Sequence, residues 1–146
     1  MRPNVTDQLE GMCRILETAI APEIENAYAQ ETLRSLVANV RMLGRAWHQL
    51  LPFLHWDNRL TAELLTAARD SVTPALRADI ETALADTEFD PADGLAAEAR
   101  NERLRALLSD CLTCPPPLVE RITDHLVERA VRYPLRLTGA VPKHKS

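Results

Sequence analysis

The sequence predicts an all-α protein, a single-domain bundle of five or six helices with short connections. First, ten prolines divide the 146 residues into long intervals, and proline interrupts a helix but is favoured in its first turn. Second, every interval repeats apolar residues three or four positions apart, as amphipathic helices do. Third, no segment shows the alternation of apolar and polar residues that a half-buried strand needs.

The first two helices are predicted over residues 5–20 and 27–51. Asn4 or Thr6 can cap the first, because a side-chain oxygen can accept from the free amides of the first turn. Pro22 ends it. The second is the longest interval with a continuous apolar period.

Proline and capping signals predict the remaining boundaries. Pro52, inside the segment LLPFLHW, is predicted to break the chain at an elbow. The later starts are a cap at Asp57 or Asn58, the pairs Thr73-Pro74 and Asp90-Pro91, and the residue after Pro117, with Pro134 as the last stop. The predicted domain is therefore residues 1–134, followed by a basic, flexible tail over residues 135–146.

Composition excludes several classes of function. The formal net charge of −4 argues against the basic surface that nucleic-acid binding requires. No apolar run is long enough to cross a membrane, and the N-terminus lacks the pattern of a secretory signal. An odd number of cysteines, three, argues against a disulfide framework. A cytoplasmic location is the expectation.

The segment CLTCPPP holds one Cys-x-x-Cys pair, Cys111 and Cys114. The interpretation we favour is that the segment only ends one helix and connects it to the next, as punctuation between the two. A thiol redox site is the alternative. A structural zinc site needs four ligands and the chain has no second pair, so no metal or cofactor is predicted. His125 lies off the expected apolar stripe of the last helix, Leu118, Ile122, Leu126 and Ala130, and is predicted to lie at the surface.

The elbow is the candidate partner-binding surface, because aromatic residues favour the cores of interfaces. Its candidate residues are Trp47, Phe53, His55 and Trp56. They either plug one end of the core or form an exposed patch for a partner protein or a second copy. Gly44 lies on the stripe of the second helix, where a glycine indicates a close helix crossing.

The segment LETAIAPEIENAYAQETLRSLVANVRMLGRA resembles the opening of a family of small all-helical bacterial proteins of unknown function. The positions that carry the resemblance are Val37, Ala38, Asn39, Val40 and Leu43. Members are often encoded beside aminoglycoside-phosphotransferase-like kinases and acyl-CoA dehydrogenases. The resemblance implies an accessory role and names no catalytic residue.

These observations predict a non-enzymatic accessory or interaction protein that binds a partner enzyme or itself. The first alternative is a bundle that binds a small acyl-type ligand in an apolar pocket, with Asn39 and Gly44 as candidate pocket residues. The second is a thiol redox protein that uses Cys111 and Cys114.

Overall fold

The computed structural model describes residues 4–88 and 90–135, and within these ranges the protein is all-helical, without strands. The five α-helices are α1 (Val5–Ile15), α2 (Ala27–Ala68), α3 (Pro74–Ala85), α4 (Gly94–Asp110) and α5 (Pro116–Arg132). A π-helical turn, Leu16–Ile20, and a 3-10 turn, Ala21–Glu23, follow α1. The all-α prediction is confirmed. The predicted tail lies outside the described residues except for Leu135.

The helix starts follow the capping chemistry of the sequence. Asn4 accepts from the amide of Asp7, whose carboxylate accepts from the amide of Asn4, which closes a capping box. Thr73 caps α3 ahead of Pro74, as predicted. The cap of α4 is Asp93, three residues after the predicted Asp90.

The predicted elbow at Pro52 is wrong. α2 runs without interruption for 42 residues, and Pro52 lies inside it. The predicted second and third helices are therefore one, and Asp57 and Asn58 are interior residues rather than caps. A single proline removes one helical hydrogen bond, and packing of the surrounding residues can offset that loss.

The chain divides into two compact units. Unit 1 comprises Met1–His48 and Pro134–Ser146, and unit 2 comprises Gln49–Tyr133. In its described residues unit 1 contains α1 and the first part of α2. Unit 2 contains the rest of α2 and the helices α3, α4 and α5.

The main core lies in unit 2, where α2, α3, α4 and α5 meet. The largest of its fully buried side chains are Leu65, Ile80, Leu104, Leu108, Cys111 and Ile122. A smaller cluster forms around Phe53, Leu54 and Ala97. No helix within residues 4–88 and 90–135 has the length and apolarity to span a bilayer.

Candidate functional site

In unit 1, α1 and α2 form a helical hairpin with a close seam. The Cys13 thiol donates to the carbonyl of Val37 at 3.7 Å, and the Thr6 hydroxyl donates to that of Gly44 at 2.9 Å. A side chain at Gly44 would already lie 3.6 Å from Leu9. Gly44 therefore lies in the seam between α1 and α2, but a Cβ there would make only an ordinary van der Waals contact, so the crossing does not require a glycine.

One side of the hairpin carries an ion cluster. Arg41 on α2 donates to Glu17 at 2.7 Å and to Glu10 at 3.1 Å. The hydrogen bond from Arg41 holds the pKa of the Glu17 carboxyl below its usual value, and the two carboxylates raise the pKa of Arg41. All three groups are solvent-accessible, so salt screens the cluster.

The opposite side of the hairpin is apolar. Glu10 and Glu17 flank the seam residue Cys13 on one side, while Leu9, Met12 and Leu16 flank it on the other, since successive helical residues lie about 100° apart. On α2, Arg41 lies to one side of Val37, and Val40 and Trp47 lie to the other. Because Arg41 contacts both glutamates, the two charged sides coincide, and so do the two apolar sides.

We call this side the apolar hairpin face, and its members are Val5, Leu9, Met12 and Leu16 with Leu33, Leu36, Val40, Leu43 and Trp47. They recur at spacings of three and four on both helices, which is the pattern of a coiled-coil seam. Five of them, Val5, Met12, Leu36, Leu43 and Trp47, are 39–55% exposed. These five side chains therefore leave apolar surface of unit 1 in contact with water.

The residues predicted to bind a partner or ligand are divided between the units. In unit 1, Trp47 lies on the apolar hairpin face, and its indole N–H donates to the Thr6 hydroxyl at 3.4 Å. Asn39 is half-buried, and among residues 4–88 and 90–135 its Oδ1 has no hydrogen-bond partner. A pocket for an acyl ligand at Asn39 and Gly44 stays a prediction.

The other partner-binding candidates, which follow Pro52 in the sequence, lie in unit 2. Phe53 is 7% exposed, and its ring packs edge-on to Tyr133 at a centroid distance of 5.3 Å. Trp56 is half-buried, and its ring is tilted by 42° relative to that of Phe53 at a centroid distance of 5.8 Å. His55 Nε2 lies 2.8 Å from the carbonyl of Pro91. A partner-binding role for these residues stays a prediction.

A buried polar cluster in unit 2 was not predicted from the sequence. Asp57 on α2 is fully buried and accepts from Arg129 Nε at 2.7 Å and from Asn101 Nδ2 at 2.7 Å. His125 Nε2 lies 2.9 Å from its second oxygen. Asn101 also donates to Asn58. Side chains of α4 and α5 therefore both contact the Asp57 carboxylate of α2.

The prediction of a surface position for His125 is wrong, because this side chain is only 6% exposed. The buried stripe of α5 is Leu118, Ile122, His125 and Arg129. Steps of four alone drift around a helix by about 40° each, whereas alternating steps of four and three stay on one side. Leu126 and Ala130 consequently face outward.

The hydrogen bonds of His125 suit a structural role better than proton relay. The Thr61 hydroxyl lies 3.2 Å from the same Nε2 that contacts Asp57. In a nucleophile–base–acid arrangement the hydroxyl and the carboxylate bind opposite ring nitrogens, so that the ring passes the proton between them. Here both use one nitrogen, and the cluster ties α2, α4 and α5 together.

The Cys-x-x-Cys pair lies at the connection between α4 and α5, where the sequence indicated punctuation. Cys111 opens a 3-10 turn, Cys111–Thr113, and Cys114 caps it. Both thiols are free and buried. Burial, with a smaller contribution from Cys114, raises the pKa of Cys111 to about 11. A raised pKa disfavours the thiolate that redox exchange requires.

We expect all three native thiols to react slowly with a disulfide reagent such as DTNB at pH 8. The thiolate is the reactive species, and burial raises the pKa of both Cys13 and Cys111. Labelling of Cys13 and Cys111 should accelerate as the pH rises, for Cys111 towards about 11, and labelling of the denatured chain should reach three equivalents. The control is Leu112→Cys, because Leu112 is 49% exposed between the two cysteines. Rapid labelling of Cys111 in the folded protein would contradict this expectation.

Comparisons of the chain with protein-family models, with curated proteins and with solved structures gave no match. The resemblance to the family of small helical bacterial proteins therefore stays a prediction.

Proposed function

We propose that this protein is a helical-bundle interaction protein that acts by binding another protein through the apolar hairpin face, without catalysing a reaction itself. The observation that carries the proposal is the coincidence of two apolar stripes on one side of the hairpin. Met12 is 55% exposed and Leu36 is 49% exposed at the centre of this face. Contiguous apolar surface of this kind is typical of protein–protein interfaces.

The distribution of charge supports the same proposal. Every charged residue of α1, of the π turn and of α2 up to Trp47 lies roughly 40–120° from the seam on the Arg41 side. These residues are Asp7, Glu10, Arg14, Glu17, Glu31, Arg34, Arg41 and Arg45. The apolar hairpin face carries none, and depletion of charge is the mark of interface cores.

Site-specific photocrosslinking tests the proposal. A benzophenone amino acid placed at Leu36 in cells of the source organism should form one discrete adduct on irradiation, whether with a second copy or with another protein. The matched control is Ala38, an exposed residue two positions away on the charged side of the same helix. It should form no such adduct. If position 36 also gives none, the proposed function is wrong.

A further inference from the structure

We infer that the protein docked on the apolar hairpin face is a second copy of this chain, so that two hairpins pair about a two-fold axis into a four-helix bundle. This inference rests on the proposed function and names the partner. A two-fold interface brings the same patch together from both subunits. The face must therefore be complementary to itself in shape and charge, and it must be large enough for a stable interface.

The spacing of the apolar residues gives the complementarity in shape. On α2, Leu33, Leu36, Val40, Leu43 and Trp47 follow steps of three, four, three and four. On α1, Val5, Leu9, Met12 and Leu16 follow steps of four, three and four. Residues repeated in this way interdigitate as knobs into holes between helices that cross at about 20°. A hairpin uses one side of each helix for its own seam, and a second hairpin would cover the neighbouring side of both.

Electrostatics place no obstacle to pairing. Two copies of a charged face would repel each other, but the apolar hairpin face brings no charge into the interface. The ion cluster of Arg41 with Glu10 and Glu17 lies on the other side and satisfies its charges within one chain. Arg34 likewise pairs with Glu31 at 2.8 Å. Association therefore buries no unpaired charge, which is the largest cost that a close interface can meet.

The exposed area approaches what a stable dimer needs. Five of the nine side chains of the face are 39–55% exposed, and together they leave an apolar patch within the range of about 300–600 Å² that the largest, often functional, patch of a monomer covers. A standard protein–protein interface buries about 800 Å² per partner, and its rim is polar. The uncharged neighbours Ala29 and Thr32 border the face and extend it.

Sedimentation velocity between about 1 and 200 µM protein tests the inference, since this range brackets micromolar dissociation constants. The wild type should sediment as a species of twice the 16.3 kDa chain mass. Leu36→Glu should weaken the dimer at least ~100-fold, because the symmetry places the new charge twice in an apolar core. Met12→Glu, on the other helix, should do the same. Ala38→Glu adds the same charge to the opposite side and should leave the dimer intact.

Circular dichroism verifies that each variant is folded, as the partial exposure of Leu36 and Met12 leads us to expect. A wild type that stays monomeric at every concentration overturns the inference, and so does a dimer that survives both face substitutions. A monomeric wild type whose position 36 crosslinks to a different protein overturns the second copy but keeps the proposed function. The absence of any adduct at position 36 overturns the proposed function itself.

Discussion

Asp57→Ala is expected to lower the free energy of unfolding by about 3–5 kcal/mol, because it removes one partner of a buried ion pair and leaves the others without compensation. Asp57 is fully buried, and Arg129 and Asn101 both donate to the same carboxylate oxygen. The Arg129 side chain is only 17% exposed, so water replaces the lost acceptor poorly. Urea denaturation followed by circular dichroism measures the loss.

The control is Glu63→Ala on the same helix. Glu63 also pairs with an arginine, Arg59 at 3.1 Å, but both side chains are about 60% exposed. Exposed pairs of this spacing contribute about 0.3–0.5 kcal/mol. A loss below about 1 kcal/mol for Asp57→Ala, similar to the control, would show that the buried cluster does not hold unit 2 together.

A second variant separates the loss of hydrogen bonds from the loss of packing. Replacing Asp57, His125 and Arg129 together by Leu, Leu and Met removes the charges on both sides of the contact. Apolar replacement of both sides of a buried ion pair is often neutral or stabilising, and Asn101 keeps Asn58 as an acceptor when Asp57 is replaced. The triple variant should therefore be more stable than Asp57→Ala, although it changes more side chains. If it is less stable, shape rather than charge dominates this part of the core.

The sequence predicted the helices and their caps more reliably than it predicted which side of each helix is buried. Asn4 and Thr73 act locally, through hydrogen bonds to amides three residues away, so a short stretch of sequence contains the whole interaction. The buried side depends on neighbours that are remote in sequence. Leu95, an apolar residue at the start of α4, is 80% exposed, while the polar Asn101 on the same helix is 4% exposed.

The buried polar cluster shows why polar core residues escape such reasoning. Asp57 and Thr61 lie four residues apart, as do His125 and Arg129, and this shared spacing is the only local sign of the cluster. Asp57 contacts residues 44, 68 and 72 positions away. Burial of a carboxylate is favourable only when these partners surround it, and no single segment records their arrangement. Trp47 stands out in the sequence for its aromatic character, whereas no local signal distinguishes Val5, Met12 and Leu36, which are exposed, from buried residues of an apolar stripe.

The prediction of an elbow was wrong for a different physical reason. An interior proline destabilises a helix but does not prevent the helix from forming. Pro52 lacks the amide that would donate to the carbonyl of His48, the last residue of the first segment of unit 1. The buried residues Phe53 and Leu54 follow immediately and anchor the next turn in unit 2. Burial of two such side chains stabilises by about 1.5–3 kcal/mol each, which exceeds the cost of one interior proline.

Pro52→Ala should accordingly raise the free energy of unfolding by about 1–3 kcal/mol, since it restores a helical hydrogen bond and removes a ring that crowds the preceding turn. Part of this gain is offset because alanine gives the unfolded chain more freedom than proline does. The increase should appear as a higher urea midpoint with an unchanged slope. Gln49→Ala, at an exposed position one turn earlier in the same helix, is the control and should change stability by less than about 0.5 kcal/mol. A lower midpoint for Pro52→Ala would mean that the proline ring itself makes contacts that stabilise the folded chain.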